Sequence, residues 1–266
     1  MTTFALVGVG KLGEALLSGM LRAGTPPENV IGAERYEGRA REIEQSYGVS
    51  VLPPPAAVAK ADVVLLAVKP QDMRTALKEI AGSLRPETLV VSMAAGITIS
   101  LLEEELPPGT HVVRVMTNTP VFVDEAMSAV SGGTHAAEEH LALVEDLLSH
   151  VGRVIRVPEH QQDAVTALSG SGPAYFFYLV EAMIDAGILL GLPRGIAAEL
   201  IVQTAVGSAK MLKESDEHPV VLREAVMSPA GTTISAIRVM EDHGVRAAML
   251  AALEAARDRS RELAGG

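Results

Sequence analysis

Apolar residues fall into two regimes along the chain. Up to about residue 158, short continuous apolar runs alternate with stretches in which apolar residues recur every three or four positions. The runs cover 4–9, 30–33, 63–68, 89–93, 111–116, 127–130 and 154–157, and they predict strands. An uninterrupted apolar run is what a parallel strand needs when both of its faces are covered. The stretches between read as helices, for example Ala15, Leu16, Leu17, Met20 and Leu21, or Leu141, Val144, Leu147 and Leu148 within 136–150. This alternation predicts an α/β fold, a doubly wound sheet over residues 1–158.

After Pro158 the pattern offers no further strand. A short helix over 159–168 is expected to end in Ser169-Gly170-Ser171-Gly172-Pro173. A long helix then covers 174–190, stopped by Gly191-Leu192-Pro193, and another covers 195–213. A polar loop leads to Pro219, and two more helices are expected to finish an all-helical domain over 159–266. The helix at 174–190 is apolar nearly all round, interrupted by Glu181 and Asp185, so most of its sides need cover. Roughly 100 residues of helix make a thin core, and a second copy of the chain is the simplest cover. A self-contained bundle is the competing reading. Half of the aromatic residues fall in Tyr175-Phe176-Phe177-Tyr178, which marks an expected buried knot.

Composition narrows the function. With 48% hydrophobic and 21% charged residues the chain reads as globular. A net charge of −11 argues against nucleic acid as partner. The absence of cysteine excludes disulfides, thiol catalysis and thiolate-bound metal. The seven histidines show neither metal-ligand nor triad spacing, so no metal is expected. The first ten residues lack a basic segment, and the apolar runs are far shorter than a bilayer span; a cytoplasmic protein without membrane contact is expected.

Two stretches carry candidate chemistry. Gly8-Val9-Gly10-Lys11-Leu12-Gly13 stands at a strand end and opens a helix, the context in which GxGxxG holds a pyrophosphate. The bland reading is a plain glycine-rich turn. Glu34, 21 residues after Gly13, stands where an acid bonds ribose hydroxyls, whereas Arg35 beside it suits a 2′-phosphate. Solvated charges at a strand end are as good a reading of both. The second stretch is Ser228-Pro229-Ala230-Gly231-Thr232-Thr233, small or stiff residues running into a helix. Free amides there, under the positive helix end, make a carboxylate cradle. The bland alternative is a helix cap by Ser228 or Thr232.

Taken together, Gly8–Gly13, Ala67-Val68-Lys69-Pro70-Gln71, Arg114-Val115-Met116-Thr117-Asn118-Thr119-Pro120, the run 166–175 and Ser228–Thr233 resemble pyrroline-5-carboxylate reductase. The resemblance covers the whole chain in order. It implies a Rossmann-type domain followed by an all-helical dimerisation domain, in a homodimer that can build larger rings. It implies reduction of the small cyclic imine 1-pyrroline-5-carboxylate to L-proline by a nicotinamide cofactor. Cofactor contacts are then expected from Val7, Gly8, Val9, Gly10, Lys11 and Leu12, from Ala67, Val68, Lys69 and Pro70, from Met93, Ala94 and Ala95, and from Asn118. Substrate contacts are expected from Ser228, Gly231, Thr232 and Thr233, with Glu159 at the same cleft and Thr233 as the catalytic hydroxyl. NADP(H) is the expected cofactor, held by Arg35 with Glu34 turned to solvent, and NAD(H) is admissible through Glu34. The chain departs from relatives in the loop expected before the 63–68 strand, at Pro53-Pro54-Pro55, where an Asn commonly stands near the adenosine. A β-hydroxy-acid enzyme of the same architecture would need a Lys within 160–176, and there is none. A non-catalytic dinucleotide module would have no use for the cradle.

Overall fold

The computed structural model describes residues 2–264. It divides into two compact units, Met1–Ser171 with Ala256–Gly266, and Gly172–Ala255. The first is built on an eight-stranded sheet in the order β3-β2-β1-β4-β5-β6-β7-β8. The strands are β1 Phe4–Val7, β2 Val30–Ala33, β3 Ser50–Leu52, β4 Val63–Leu66, β5 Leu89–Ser92, β6 His111–Met116, β7 Ala126–Gly132 and β8 Gly152–Arg156. Strands β1 to β6 are parallel, with Phe4 to Val7 of β1 paired to Val63 to Leu66 of β4. β7 runs antiparallel to β6 and parallel to β8.

The two-residue strand period sorts the core. Leu6, Leu65, Val91 and Val113 pack on one face with Leu16, Leu17 and Met20 of α1 (Lys11–Arg22) and Leu148 of α6 (Glu138–Ser149). Val64, Leu66, Val90 and Val112 face the other way. They meet Met73, Leu77 and Ile80 of α4 (Met73–Ile80) and Leu102 of α5 (Ile99–Glu105). Each fully buried side chain of this size stabilises by about 1.5–3 kcal/mol, and covering both faces is what makes these strands read as continuous apolar runs.

Three local expectations are corrected. β3 has no counterpart among the expected strands: it is a three-residue edge strand, too short to leave a run. The proline stretch is not a loop. Pro53 is the N-cap of α3 (Pro54–Val58), and Pro54 stands at a helix start, where a missing N–H costs nothing. The break expected at 169–173 narrows to Ser171, between a π-turn, Thr166–Gly170, and α8 (Gly172–Leu189). Pro173 cannot donate to the carbonyl of Ser169 one turn earlier, and the Asn118 side-chain amide donates to that carbonyl instead, at 3.1 Å.

The contact boundary at Ser171 falls later than residue 158 because segment 159–171 is tied to the sheet. Glu159 accepts from Arg114 of β6, and the buried Gln162 donates to Ala129 and Ser131 of β7. Near the other end of the chain, the Ser260 hydroxyl donates to Asp163 at 2.7 Å.

The second unit is helical: α8, α9 (Arg194–Glu214), α10 (Pro219–Ala225), α11 (Thr232–Asp242) and the first part of α12 (Val245–Ala264). Three helices follow His218 where two were expected, because Gly244, at φ +68°, ends the α11 segment before α12 begins. Gly187 of α8 lets the helix approach Ala197 of α9, whose Cβ would lie 2.9 Å from a Cβ at that glycine. The aromatic knot is not buried within one chain: Phe176, Phe177 and Tyr178 are 67%, 68% and 71% exposed. By length and mean hydropathy (1.2) the helical stretch Glu159–Leu189 is able to cross a bilayer; Glu181 and Asp185 interrupt its apolar surface.

Candidate active site

Two places carry the candidate chemistry, one in each unit. The first is the C-terminal edge of the sheet at β1 and β4. There the chain leaves β1 toward β2 on one side and later returns as β4 on the other, the switch point where open parallel sheets bind ligands. Gly8 turns out of β1 at φ +89°, and a Cβ on it would stand 2.8 Å from Val68 Cγ1. A Cβ on Gly13 would collide with the Gly8 carbonyl as α1 packs back. Gly10 differs from both. Its φ of −77° suits any residue, and a Cβ there would meet nothing within 4 Å. Nothing in the protein requires that glycine, so the open space beside it fits the approach of a pyrophosphate to the backbone. This argues against a plain glycine-rich turn.

The expected cofactor residues line the same edge in different ways. The side chains of Val7, Val9 and Met93 lie in the core, which leaves their backbones to face a ligand. Lys11 and Lys69 are exposed, and Leu12, Ala67 and Val68 are partly so. The loop after β4 is anchored by the Ala67 amide donating to Val7, at 2.9 Å. The Met93 amide donates to Leu66 at 3.0 Å, starting the loop through Ala94 and Ala95. Asn118 is engaged at both ends of its amide, donating to Ser169 and accepting from the Met127 backbone at 2.9 Å.

Beyond Gly8 the crevice continues past the end of β2, where Glu34, Arg35, Asp72 and Glu79 line it. Glu34 is not turned to solvent. Its Oε1 accepts from the amides of Arg35 at 2.8 Å and Tyr36 at 3.1 Å, next to α2 (Glu37–Tyr47). The Arg35 guanidinium pairs with Glu79 of α4. Asp72 and Glu79 were missed by the sequence reading, since nothing local marks acids 37 and 44 residues beyond Arg35 as its neighbours.

Glu159 lies against the sheet. Its carboxylate accepts from the Ile99 amide at 2.6 Å and from Arg114 at 3.1 Å. It therefore bonds the first turn of α5, where the helix dipole favours a negative charge, while Thr98 caps the Leu101 amide.

The second place is the start of α11. Gly231 is the N-cap, and neither Ser228 nor Thr232 caps the helix by its side chain. Among the described residues, no acceptor meets the amides of Thr232, Thr233 and Ile234, and the Thr233 hydroxyl is also without a partner. Gly231 has φ −78°, so its backbone does not demand glycine. Space is the reason: a Cβ there would collide with the Ser228 hydroxyl and stand 3.1 Å from the Ser228 carbonyl. The strained residue is its neighbour Ala230, at φ +56°, a conformation that costs a non-glycine residue about 1–2 kcal/mol.

Known proteins share both halves. Residues 159–263 match the family described as pyrroline-5-carboxylate reductase dimerisation, and residues 3–96 match NADP oxidoreductase coenzyme F420-dependent. A pyrroline-5-carboxylate reductase from Corynebacterium melassecola is 47% identical over 99% of each chain. One from Methanosarcina acetivorans is 42% identical over 97% of this chain and 96% of its own. Among solved structures, a pyrroline-5-carboxylate reductase from Coxiella burnetii superposes with a TM-score of 0.92 at 33% identity, over 98% of both chains. A Plasmodium falciparum pyrroline carboxylate reductase with NADP bound gives 0.89 at 28% identity, over 99% of this chain and 98% of that one. With the glycine-lined switch point, the uncapped helix start and full-length similarity all in agreement, this chain belongs to the pyrroline-5-carboxylate reductase family.

Proposed function

We infer that the chain reduces 1-pyrroline-5-carboxylate to L-proline, the last step of proline biosynthesis, as an oxidoreductase acting on a CH–NH bond. The full-length identity of 47% to a reductase of that name supports the reading. The observation in the molecule that carries it is the uncapped start of α11, whose three unpaired amides suit a small carboxylate. A bound reduced nicotinamide supplies the hydride. The backbone at Gly8, Gly10 and Leu12 holds the pyrophosphate, with Lys11 beside it. Ala67 to Pro70 and Met93 to Ala95 line the nicotinamide half. Asn118 and Glu159 act by position: one anchors the π-turn, the other fixes the end of the loop that follows Met93.

On the substrate side, the amides of Thr232 to Ile234 hold the carboxylate, with Ser228 at the rim and Gly231 keeping the approach open. The Thr233 hydroxyl donates to the ring nitrogen or relays a proton to it. A cyclic imine is basic enough to arrive protonated, so no strong acid is needed there. The chain's contribution is orientation and electrostatics.

NADP(H) is the preferred cofactor in this reading, and NAD(H) is accepted. Arg35 supports the preference, as do the matched NADP oxidoreductase family and the NADP found in the Plasmodium relative. The dimerisation domain makes the protein a homo-oligomer, with a homodimer as the working unit, rings of dimers as the larger assembly and the cytoplasm as its place. Steady-state kinetics on Thr233→Ala test the site assignment. Loss of one neutral hydrogen bond lowers kcat/KM roughly 10- to 100-fold. A variant as active as the parent sinks the assignment of Thr233.

A further inference from the structure

The adenosine end of the crevice holds a conflict of charges. A 2′-phosphate would seek the Arg35 guanidinium and the Arg35 and Tyr36 amides that lead into α2. Both are already taken by carboxylates of the chain. Glu34 accepts from the amides of Arg35 and Tyr36, and Glu79 pairs with the guanidinium. Asp72 lines the same crevice, so one cation stands among three acids there. A 2′-phosphate brings up to two further negative charges, whereas a ribose 2′-hydroxyl brings none.

We propose that Glu79 sets the balance between the 2′-phosphorylated and the plain dinucleotide, by competing with the 2′-phosphate for Arg35. This deepens the cofactor reading above and rests on it. To receive a 2′-phosphate, Arg35 must swing off Glu79, and the freed carboxylate then faces the incoming anion. Binding of NAD(H) asks for neither change. The pair is an exposed one, with side chains 52% and 30% accessible, so its hold on Arg35 is modest and the competition is winnable. Glu79 therefore acts as a partial brake on NADP(H) binding rather than as a block. It is a specificity-determining residue that sits on α4, the helix after β4, and not on β2 where such residues are read from sequence.

The test is calorimetric binding of NADPH, NADH and adenosine 2′,5′-bisphosphate to the full-length protein, which reads affinity without turnover. Glu79→Gln and Glu79→Ala should tighten NADPH and the bisphosphate by roughly 3- to 10-fold, with NADH changed by less than about twofold. In an Arg35→Ala background the same substitutions should gain nothing, because the competition is over that guanidinium. The proposal is overturned by unchanged NADPH affinity, by equal tightening of both dinucleotides, or by a gain that persists without Arg35. Gly10→Val separates this failure from failure of the cofactor reading, since its side chain points into open space and leaves the fold intact. If Gly10→Val abolishes binding of both dinucleotides while Glu79 variants do nothing, the Glu79 proposal alone falls. If Gly10→Val binds both normally, the cofactor site is misplaced and the proposal falls with it.

Discussion

At the scale of single residues, the glycines decide which features of the two candidate sites serve the fold and which serve a ligand. Gly8 and Gly13 are required by the protein itself, since a side chain on either would meet Val68 or the Gly8 carbonyl. Gly10 is required by nothing in the chain. Gly10→Val should thus cost no more than a lost N-cap preference, about 1 kcal/mol, while removing dinucleotide binding, a split that thermal unfolding and calorimetry read together. A large loss of stability would show that Gly10 is structural. Gly231 falls between these cases. Its side chain would press on Ser228, so Gly231→Val should raise KM for the imine more than Thr233→Ala does, with NADPH affinity nearly intact. Normal substrate binding by Gly231→Val would reduce the cradle to a helix cap. The glycine motif and the small-residue loop were legible in sequence because their chemistry is local. The partners of Arg35, Asn118 and Glu159 were not, since each bonds groups brought close by the fold, and Glu79 stands 44 residues from Arg35.

At the scale of elements, the parallel strands were legible because burial on both faces leaves continuous apolar runs. Edge strand β3 was not, since its residues are exposed or half-buried and it spans three positions. The reversal of β7 left no trace either; strand direction depends on connections and not on the apolar pattern. Element ends also carry the titrating contacts. Asp62, at the start of β4, accepts from the Thr3 amide at 2.8 Å and from Arg85 at 2.6 Å. The Thr3 hydrogen bond, partly offset by burial and reinforced by Arg85, holds its carboxyl below the usual range. A carboxyl depressed in the folded state stabilises above its unfolded pKa, and that contribution fades as pH falls through the lower folded value. The parent should therefore lose part of its stability below about pH 4, and Asp62→Asn should lose less over the same interval. Denaturant midpoints across that range check this; parallel curves for parent and variant would remove Asp62 from the account. Glu159→Gln probes a second end, where it weakens two charge-assisted bonds, to Ile99 and to Arg114. A cost of about 1–3 kcal/mol is expected, visible as a lower denaturant midpoint with an unchanged slope.

At the scale of the whole molecule, the second unit exposes surface that a lone chain in water has no reason to expose. Leu189 and Leu190 are 89% and 84% accessible, alongside the aromatic knot of α8. A groove of about 380 Å³ between α11 and α12 adds Ile237, Met240, Met249 and Leu253 to the open apolar surface. Such surface belongs in an interface, and the matched dimerisation family says of what kind. The sequence signalled this through a helix apolar on nearly every side, although the knot expected to be buried is not covered by its own chain. Sedimentation at nanomolar concentration should show a dimer, and a folded, active monomer there would contradict it.

Reduction of the imine by this chain is open to one spectrophotometric experiment. The purified protein is mixed with NADPH, the reduced-nicotinamide absorbance is followed, and 1-pyrroline-5-carboxylate is then added. The absorbance should fall from the moment the imine is added, mole for mole with it, with L-proline as product, and should stay constant in Gly10→Val. Absorbance that stays constant in the parent with NADPH, and again with NADH, would contradict the reduction.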